Sequence, residues 1–245
     1  MSDWNFCVTD VDAGVPLAER QAYAAAQQRQ LREHFSSVWD GLGQDATVRA
    51  MTPDAPVQPG EIEIRLQNTV TQSGAYAFHD AKPDGTPICY VFVGLLKQNG
   101  QGWTSAASHE VLETMGDRRL RLCVEMSDGT IWDREVCDRV EQGTYQIDGV
   151  DLSNFNTPQA FEPPTTGPAK YDWLGQSTTP NQVLPGGYAQ KFNPSQGWTM
   201  VQASKLSAYR THLLSCGLGR AARRIARNPK QPWWKRLFSA LRFWR

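Results

Sequence analysis

The chain has 245 residues, 40% of them hydrophobic and 20% charged, a balance that supports a packed core and excludes wholesale disorder. No apolar run approaches the roughly 18–20 residues of a membrane span, and the formal net charge is zero, from 25 basic and 25 acidic residues. That zero hides an asymmetry: residues 1–162 carry 12 Lys/Arg against 24 Asp/Glu, whereas residues 163–245 carry 13 Lys/Arg and Asp172 as their one acid, which predicts different partners for the two parts.

The opening MSDWNFCVTD has no basic segment leading into an apolar run, so no secretory leader is expected, and the expected location is the cytoplasm or a virion. Cys7, Cys89, Cys123, Cys137 and Cys216 are odd in number and form no C-x-x-C pair, which predicts neither a disulfide framework nor a zinc knuckle. Trp4 to Thr9 reads as a first strand. Pro16 opens a long helical pattern carried by Leu17, Ala24, Leu31, Phe35, Val38 and Leu42, with Gly41 and Gly43 at its end. Ala46 to Met51 reads as a second strand, and the strict alternation from Glu61 to Leu66 as a half-buried third. Ala75 to His79 and Ile88 to Val93 flank Pro83-Asp84-Gly85 and predict a hairpin. Trp103 to Met115 reads as a helix, with Thr104 or Ser105 as N-cap and Gly116 as stop. Two short strands follow, Leu120 to Met126 and Thr130 to Val136. Asn154 to Gly197, rich in Pro, Gly, Gln and Thr, predicts an irregular wrap. Ser204 to Ser215 reads as a further helix. The expectation is an α+β domain over residues 1–200, one mixed sheet with a backing helix, and a helical basic tail over 201–245.

The segment Ser108-His109-Glu110-Val111-Leu112-Glu113 contains H-E-x-x-E on the predicted helix. Residues four apart lie about 40° apart around a helix axis and one turn along it, so His109 and Glu113 project from one face and can grip one cation. Glu110 sits beside them, within reach of a water on that cation. Zinc metallopeptidases use this spacing with a second His in the last position and the glutamate as general base. A Glu in the last position makes the site harder and more anionic, so zinc is expected with calcium and manganese still admitted. A third ligand must come from elsewhere. Arg134-Glu135-Val136-Cys137-Asp138 offers Glu135 as the favoured ligand and Asp138 as a ligand or a hydrogen-bonding neighbour of one. Asp117, two turns beyond His109, is a third candidate, and Cys137 a thiolate alternative to a small buried residue. The bland alternative for the whole motif is a solvated helix face, against which stand the apolar residues Ala106, Ala107, Val111, Leu112 and Met115.

Residues 75–188 resemble a group of largely uncharacterised bacterial and phage-encoded zincin-like proteins. The resemblance rests on AYAFHDAKPDGTPICYVFV, GWTSAASHEVLETMGD, REVCD, YQIDGVDLSNFNTP, YDWLG and LPGGY. The pairing of H-E-x-x-E with E-x-x-D is also similar to the plant exordium proteins. The resemblance implies a zincin-like fold, a metal site at His109 and Glu113 completed by Glu135 or Asp138, and Glu110 as base. It departs after the helix, where those proteins often read Asp-Pro and this chain reads Asp117-Arg118.

Two functions follow as expectations. One is a metallohydrolase, a peptidase, acting on a peptide or protein. The other is a non-catalytic virion, secretion-associated or membrane-docking protein on the same scaffold with a structural or lost metal. Of the remaining residues, His79 suits a cleft wall or oxyanion contact, with a partly exposed structural histidine the stronger reading. Tyr145 and Tyr188 suit either polarisation of an intermediate or packing. Gly186-Gly187 reads as a tight turn, and His34 and His212 receive no role. From Gly217 to Arg245 the chain carries nine Lys/Arg and no acid, with Trp233, Trp234 and Trp244 among them. That composition points first to an anionic membrane surface, next to a protein partner, and last to nucleic acid.

Overall fold

In the computed structural model the described residues are 4–72, 75–118, 122–126, 129–193 and 197–203. The basic tail of 217–245, the helix expected at Ser204 to Ser215, and His212 lie outside them. Strand β1 (Asn5–Asp10) buries Phe6, Cys7 and Val8 in succession, so both of its faces are covered. It pairs in parallel with β2 (Thr47–Ala50) on one side and β3 (Ile62–Gln67) on the other. Beyond β3 comes β5 (Pro87–Phe92), also parallel, and β4 (Ala77–Ala81) closes the edge antiparallel to β5. The five-stranded order is β2-β1-β3-β5-β4. The fold is α+β with a mixed sheet.

The apolar face of that sheet, Phe6, Val8, Ile62, Ile64, Leu66, Cys89 and Val91, forms one core with two helices. Helix α1 (Leu17–Arg29) supplies Tyr23, Ala24 and Ala26, and α4 (Trp103–Gly116) supplies Ala107, Val111, Leu112 and Met115. The third strand is not half-buried as its alternation suggests. Glu63 is buried too, because Thr9 and Arg65 donate to its carboxylate at 2.9 and 3.0 Å, and an ion-paired polar face needs no water.

The long helical pattern also breaks differently. Pro16 is the N-cap rather than a first-turn residue, and α1 widens into a π-helical stretch, Gln30–Phe35, before the short α2 (Ser36–Val38). Gln30 sits at the junction with its amide inside the protein. Its Nε2 donates to Tyr145 Oη at 3.0 Å and to the Ser153 carbonyl at 2.9 Å, and its Oε1 accepts from Ser108 Oγ at 2.8 Å. One extra residue in the turn re-aims the side chain, as π-bulges do. A buried hub of this kind is invisible to a 3.6-residue period.

The β4–β5 turn falls at Pro83-Asp84-Gly85 as expected, with Gly85 at φ +85°. Helix α3 (Val93–Gln98) then leads into α4, whose N-cap is Gly102 rather than Thr104 or Ser105. After α4, β6 (Cys123–Glu125), β7 (Ile131–Asp133), β10 (Tyr188–Asn193) and β11 (Gly197–Gln202) form a second, antiparallel sheet of order β11-β10-β7-β6. The irregular wrap predicted over 154–197 therefore ends early. Residues 188–193 become a strand because Phe192 and Lys191 find β7, and Gln190 N–H finds Asp133 Oδ2 at 3.0 Å. A hairpin of β8 (Thr144–Ile147) and β9 (Val150–Ser153) turns at Asp148-Gly149, both at positive φ, the turn chemistry that Asp-Gly favours.

Between β9 and β10 the chain has only α5 (Pro158–Phe161) and an isolated bridge, Asn156 to Asp172. Asp172 organises this wrap. Its carboxylate accepts from Asn154 Nδ2 at 2.8 Å and from the Gln176 and Ser177 amides. Burial alone would raise its pKa, but these donors outweigh it and hold the carboxyl below its ordinary value of 3.8. A depressed folded-state pKa gives stability that is present above the unfolded value and lost as pH falls through the folded one. Asp172→Ala is expected to cost about 2–3 kcal/mol near neutral pH. In urea melts from pH 7 to pH 2 the gap to the parent protein should narrow only below about pH 4.

Candidate metal centre

Helix α4 is buried from Ala107 to Gly116 on every side, including Ser108, His109, Glu110, Glu113 and Thr114. The solvated-face alternative fails here. β5 and β4 pack along one side of the helix and β9 along another. Cys89 Sγ on β5 lies 3.4 Å from Thr114 Oγ1, and Ser108 Oγ accepts from the Ser153 amide at 3.1 Å. A helix carrying one His and two Glu in such surroundings must satisfy them among themselves.

It does so as a chain of five side chains. His109 Nε2 lies 3.0 Å from Glu113 Oε1 and 3.1 Å from Asp138 Oδ1. The other oxygen of Glu113 lies 3.4 Å from Nδ1 of His79, and that nitrogen lies 3.0 Å from Glu110 Oε2. Two three-residue groups result, His109 with Glu113 and Asp138, and His79 with Glu110 and Glu113, each with its donor atoms within 4.8 Å of one another. Burial opposes a charged imidazole at His109. The Glu113 charge and the hydrogen bond to Asp138 outweigh that cost and lift its pKa well above 6.5. In the absence of a cation, a proton on His109 serves the two carboxylates.

Asp138 reaches the helix because the strand expected to run to Val136 stops at Asp133. The chain turns and forms a short 3-10 segment, Asp138–Val140. Val136 packs onto the end of α4, where a Cβ on Gly116 would lie 2.6 Å from Val136 Cγ1. Arg139, fully buried, donates through Nη2 to Asp133 Oδ1 and the Asp133 carbonyl at 3.0 and 2.8 Å, and through Nη1 to the Glu135 carbonyl at 3.2 Å. The Leu184 amide donates to the Arg139 carbonyl at 2.9 Å. Gly187 lies so close that a Cβ there would sit 2.4 Å from the Arg139 carbonyl oxygen and 2.8 Å from that of Asp138. Gly186-Gly187 is thus a turn that seats the Asp138 segment. Gly187→Ala is expected to force this backbone away, costing about 1–3 kcal/mol of stability. Thermal melting of the parent and variant proteins reads that cost.

The other sequence candidates fall elsewhere. Glu135, the third ligand that the sequence favours, is buried, and its carboxylate lies in neither donor group; Asp138, in the tight turn held by the Arg139 fork, is the carboxylate that meets His109. Asp117 is buried at the C-cap of α4 and accepts from the Leu122 amide at 2.8 Å. Cys137 is fully buried, and burial, then the Glu113 charge, raises its thiol pKa well above 9.0, so it stays a neutral packing residue. Tyr145 bonds Gln30 and His34 rather than the cluster, and Tyr188 begins β10.

His79 is the residue the sequence undervalued. It is buried rather than partly exposed, and its register opposite Cys89 turns it toward α4. A legible signal existed: a histidine at a core-facing position of a strand, two residues from Ala77. A separate surface cleft of about 410 Å³ lies at the ends of β1 and β2, lined by Asp10, Asp12, Arg20 and Met51 among others, and shares no residue with either donor group. Among the described residues no helix is long and apolar enough to cross a membrane. Compared with profiles of protein families, with curated proteins and with solved structures, the chain matches none.

Proposed function

We propose that the protein is a zincin-like metallohydrolase, a peptidase, whose divalent cation is held by His109, Glu113 and Asp138 and whose general base is Glu110. One observation carries the reading: a single ring nitrogen, His109 Nε2, faces two carboxylate oxygens at 3.0 and 3.1 Å inside a buried helix. One N–H points squarely at only one of the two oxygens, or is shared between them as a weaker three-centre bond. Three converging donors with these spacings suit a cation, since a tetrahedral ion with bonds of about 2.0–2.1 Å keeps its donors roughly 3.3 Å apart. One imidazole and two carboxylates suit zinc, with manganese or calcium as harder alternatives. With the short α2 and α3 set aside, the order strand, helix, two strands, hairpin, helix supports the zincin-like reading.

A divalent cation bound there would polarise a peptide carbonyl and acidify a water. The rest of the chemistry belongs to the chain. Glu110, one residue from His109, takes the water's proton and returns it to the leaving amine. His79 Nδ1 holds the Glu110 carboxylate in place through Oε2 at 3.0 Å. The buried setting keeps both carboxylates in a low-dielectric surround, where their interaction with a cation is strong.

A second reading, a structural cation on a non-catalytic scaffold, is favoured by the burial of every donor, with Glu113 and Asp138 at 0% and 1% side-chain exposure. Metal analysis of the purified protein tests the common ground. Close to one equivalent of tightly held zinc is expected. His109→Ala and Asp138→Ala should each lower affinity by about 10²-fold or more, while Glu135→Ala should not. Less than a tenth of an equivalent in the parent protein, or a Glu135→Ala loss equal to that of Asp138→Ala, would sink the site as drawn.

A further inference from the structure

We propose a second cation site on the far side of Glu113, formed by His79 Nδ1, Glu110 Oε2 and Glu113 Oε2, so that Glu113 bridges two divalent ions. The proposal extends the reading above and rests on it for the first ion.

The same geometric argument applies twice. His79 Nδ1 faces Glu110 Oε2 at 3.0 Å and Glu113 Oε2 at 3.4 Å, and again one nitrogen confronts two carboxylate oxygens. All three side chains are at most 3% exposed. They come from two elements, the edge strand β4 and helix α4, and the β4–β5 pairing fixes how closely these approach. The two oxygens of Glu113 point to different histidines, Oε1 to His109 and Oε2 to His79. A carboxylate spread between two nitrogen-bearing sites is the arrangement that bridges paired ions, which in two-metal centres lie about 3.5–4 Å apart.

Charge points the same way. Glu110, Glu113 and Asp138 place three carboxylates in one buried cluster with two imidazoles. One divalent ion leaves a net negative charge there when both rings are neutral. That residual charge of −1 attracts a second divalent ion, which takes the cluster to +1. The donor set of one imidazole and two carboxylates suits zinc or manganese. Filling this second site takes Glu110 Oε2 as a ligand, so the second ion competes with the work of Glu110 as base, and excess cation is expected to slow hydrolysis.

The test is stoichiometry on the full chain, stripped with chelator and titrated with zinc, followed by manganese loading and electron paramagnetic resonance. Two equivalents are expected in the parent protein, the second at least 10-fold weaker. His79→Ala should bind one. Two manganese ions should give an exchange-coupled spectrum, because Glu113 joins them. One equivalent in the parent protein, unchanged in His79→Ala, overturns the second site and leaves the first intact; no binding at all overturns both. Two equivalents retained in His79→Ala, or a six-line spectrum of isolated ions at full loading, also overturn the proposal. Should His79→Ala fail to fold, His79→Gln and the spectrum of the parent protein decide it.

Discussion

Glu110→Gln is expected to lower peptide hydrolysis by about 10²–10⁴-fold while leaving the first equivalent of zinc bound. The substitution is close to isosteric. A Gln carbonyl still accepts from His79 Nδ1, where the parent distance is 3.0 Å, so the packing of a helix buried on every side should survive. What disappears is the carboxylate's affinity for a proton. Comparison of parent and variant on a mixed peptide substrate, with metal content measured on both, separates the two readings of the cluster. Hydrolysis in the parent and its loss in the variant, with equal zinc, identifies a base. Metal retained with no hydrolysis in either protein would leave the cation structural and remove the catalytic reading. Loss of zinc from Glu110→Gln would instead show that Glu110 is a ligand of the first ion, contrary to its placement beside His79.

Arg139→Ala should be the most destabilising substitution away from the donors. Arg139 is fully buried, its guanidinium lies 5.0 Å from the Phe161 ring centre, and its fork holds both the side chain and the carbonyl of Asp133. Truncation leaves the buried Asp133 carboxylate with the Gln190 amide but without its counter-charge, a loss of about 3–5 kcal/mol. For a domain of this size that lowers the melting temperature by about 10 °C. Arg139→Lys is not a conservative rescue, because an ammonium cannot reproduce the planar fork. Combining Arg139→Met with Asp133→Asn removes the stranded charge and should recover at least about 1 kcal/mol. If the single and double variants melt alike, the ion pair is not what holds this turn. Since the same fork shapes the turn carrying Asp138, zinc affinity should fall together with stability in Arg139→Ala.

The sequence by itself determined the α+β class, the order of the five strands of the first sheet with a helix after the first of them, the hairpin turn at Pro83-Asp84-Gly85 and the face-sharing of His109 with Glu113. All of these follow from local rules: alternation, helical spacing and turn residues act over fewer than ten positions. The Asp148-Gly149 turn is equally local and equally legible. Tertiary structure decided what depended on distant partners. Strand β10 exists because β7 and β11 lie on either side of it, and its own composition is that of a loop. Gln30 points inward because a π-helical turn answers to Ser108 and Tyr145, which are 78 and 115 residues away. The choice between Glu135 and Asp138 could not come from their three-residue spacing. It was made by Arg139 and Gly187, which close the turn and aim one of the two carboxylates at His109. His79 joined the cluster for the same reason: a strand's alternation says which way a histidine points, but only the packing of β4 on α4 says that two glutamates stand there to meet it.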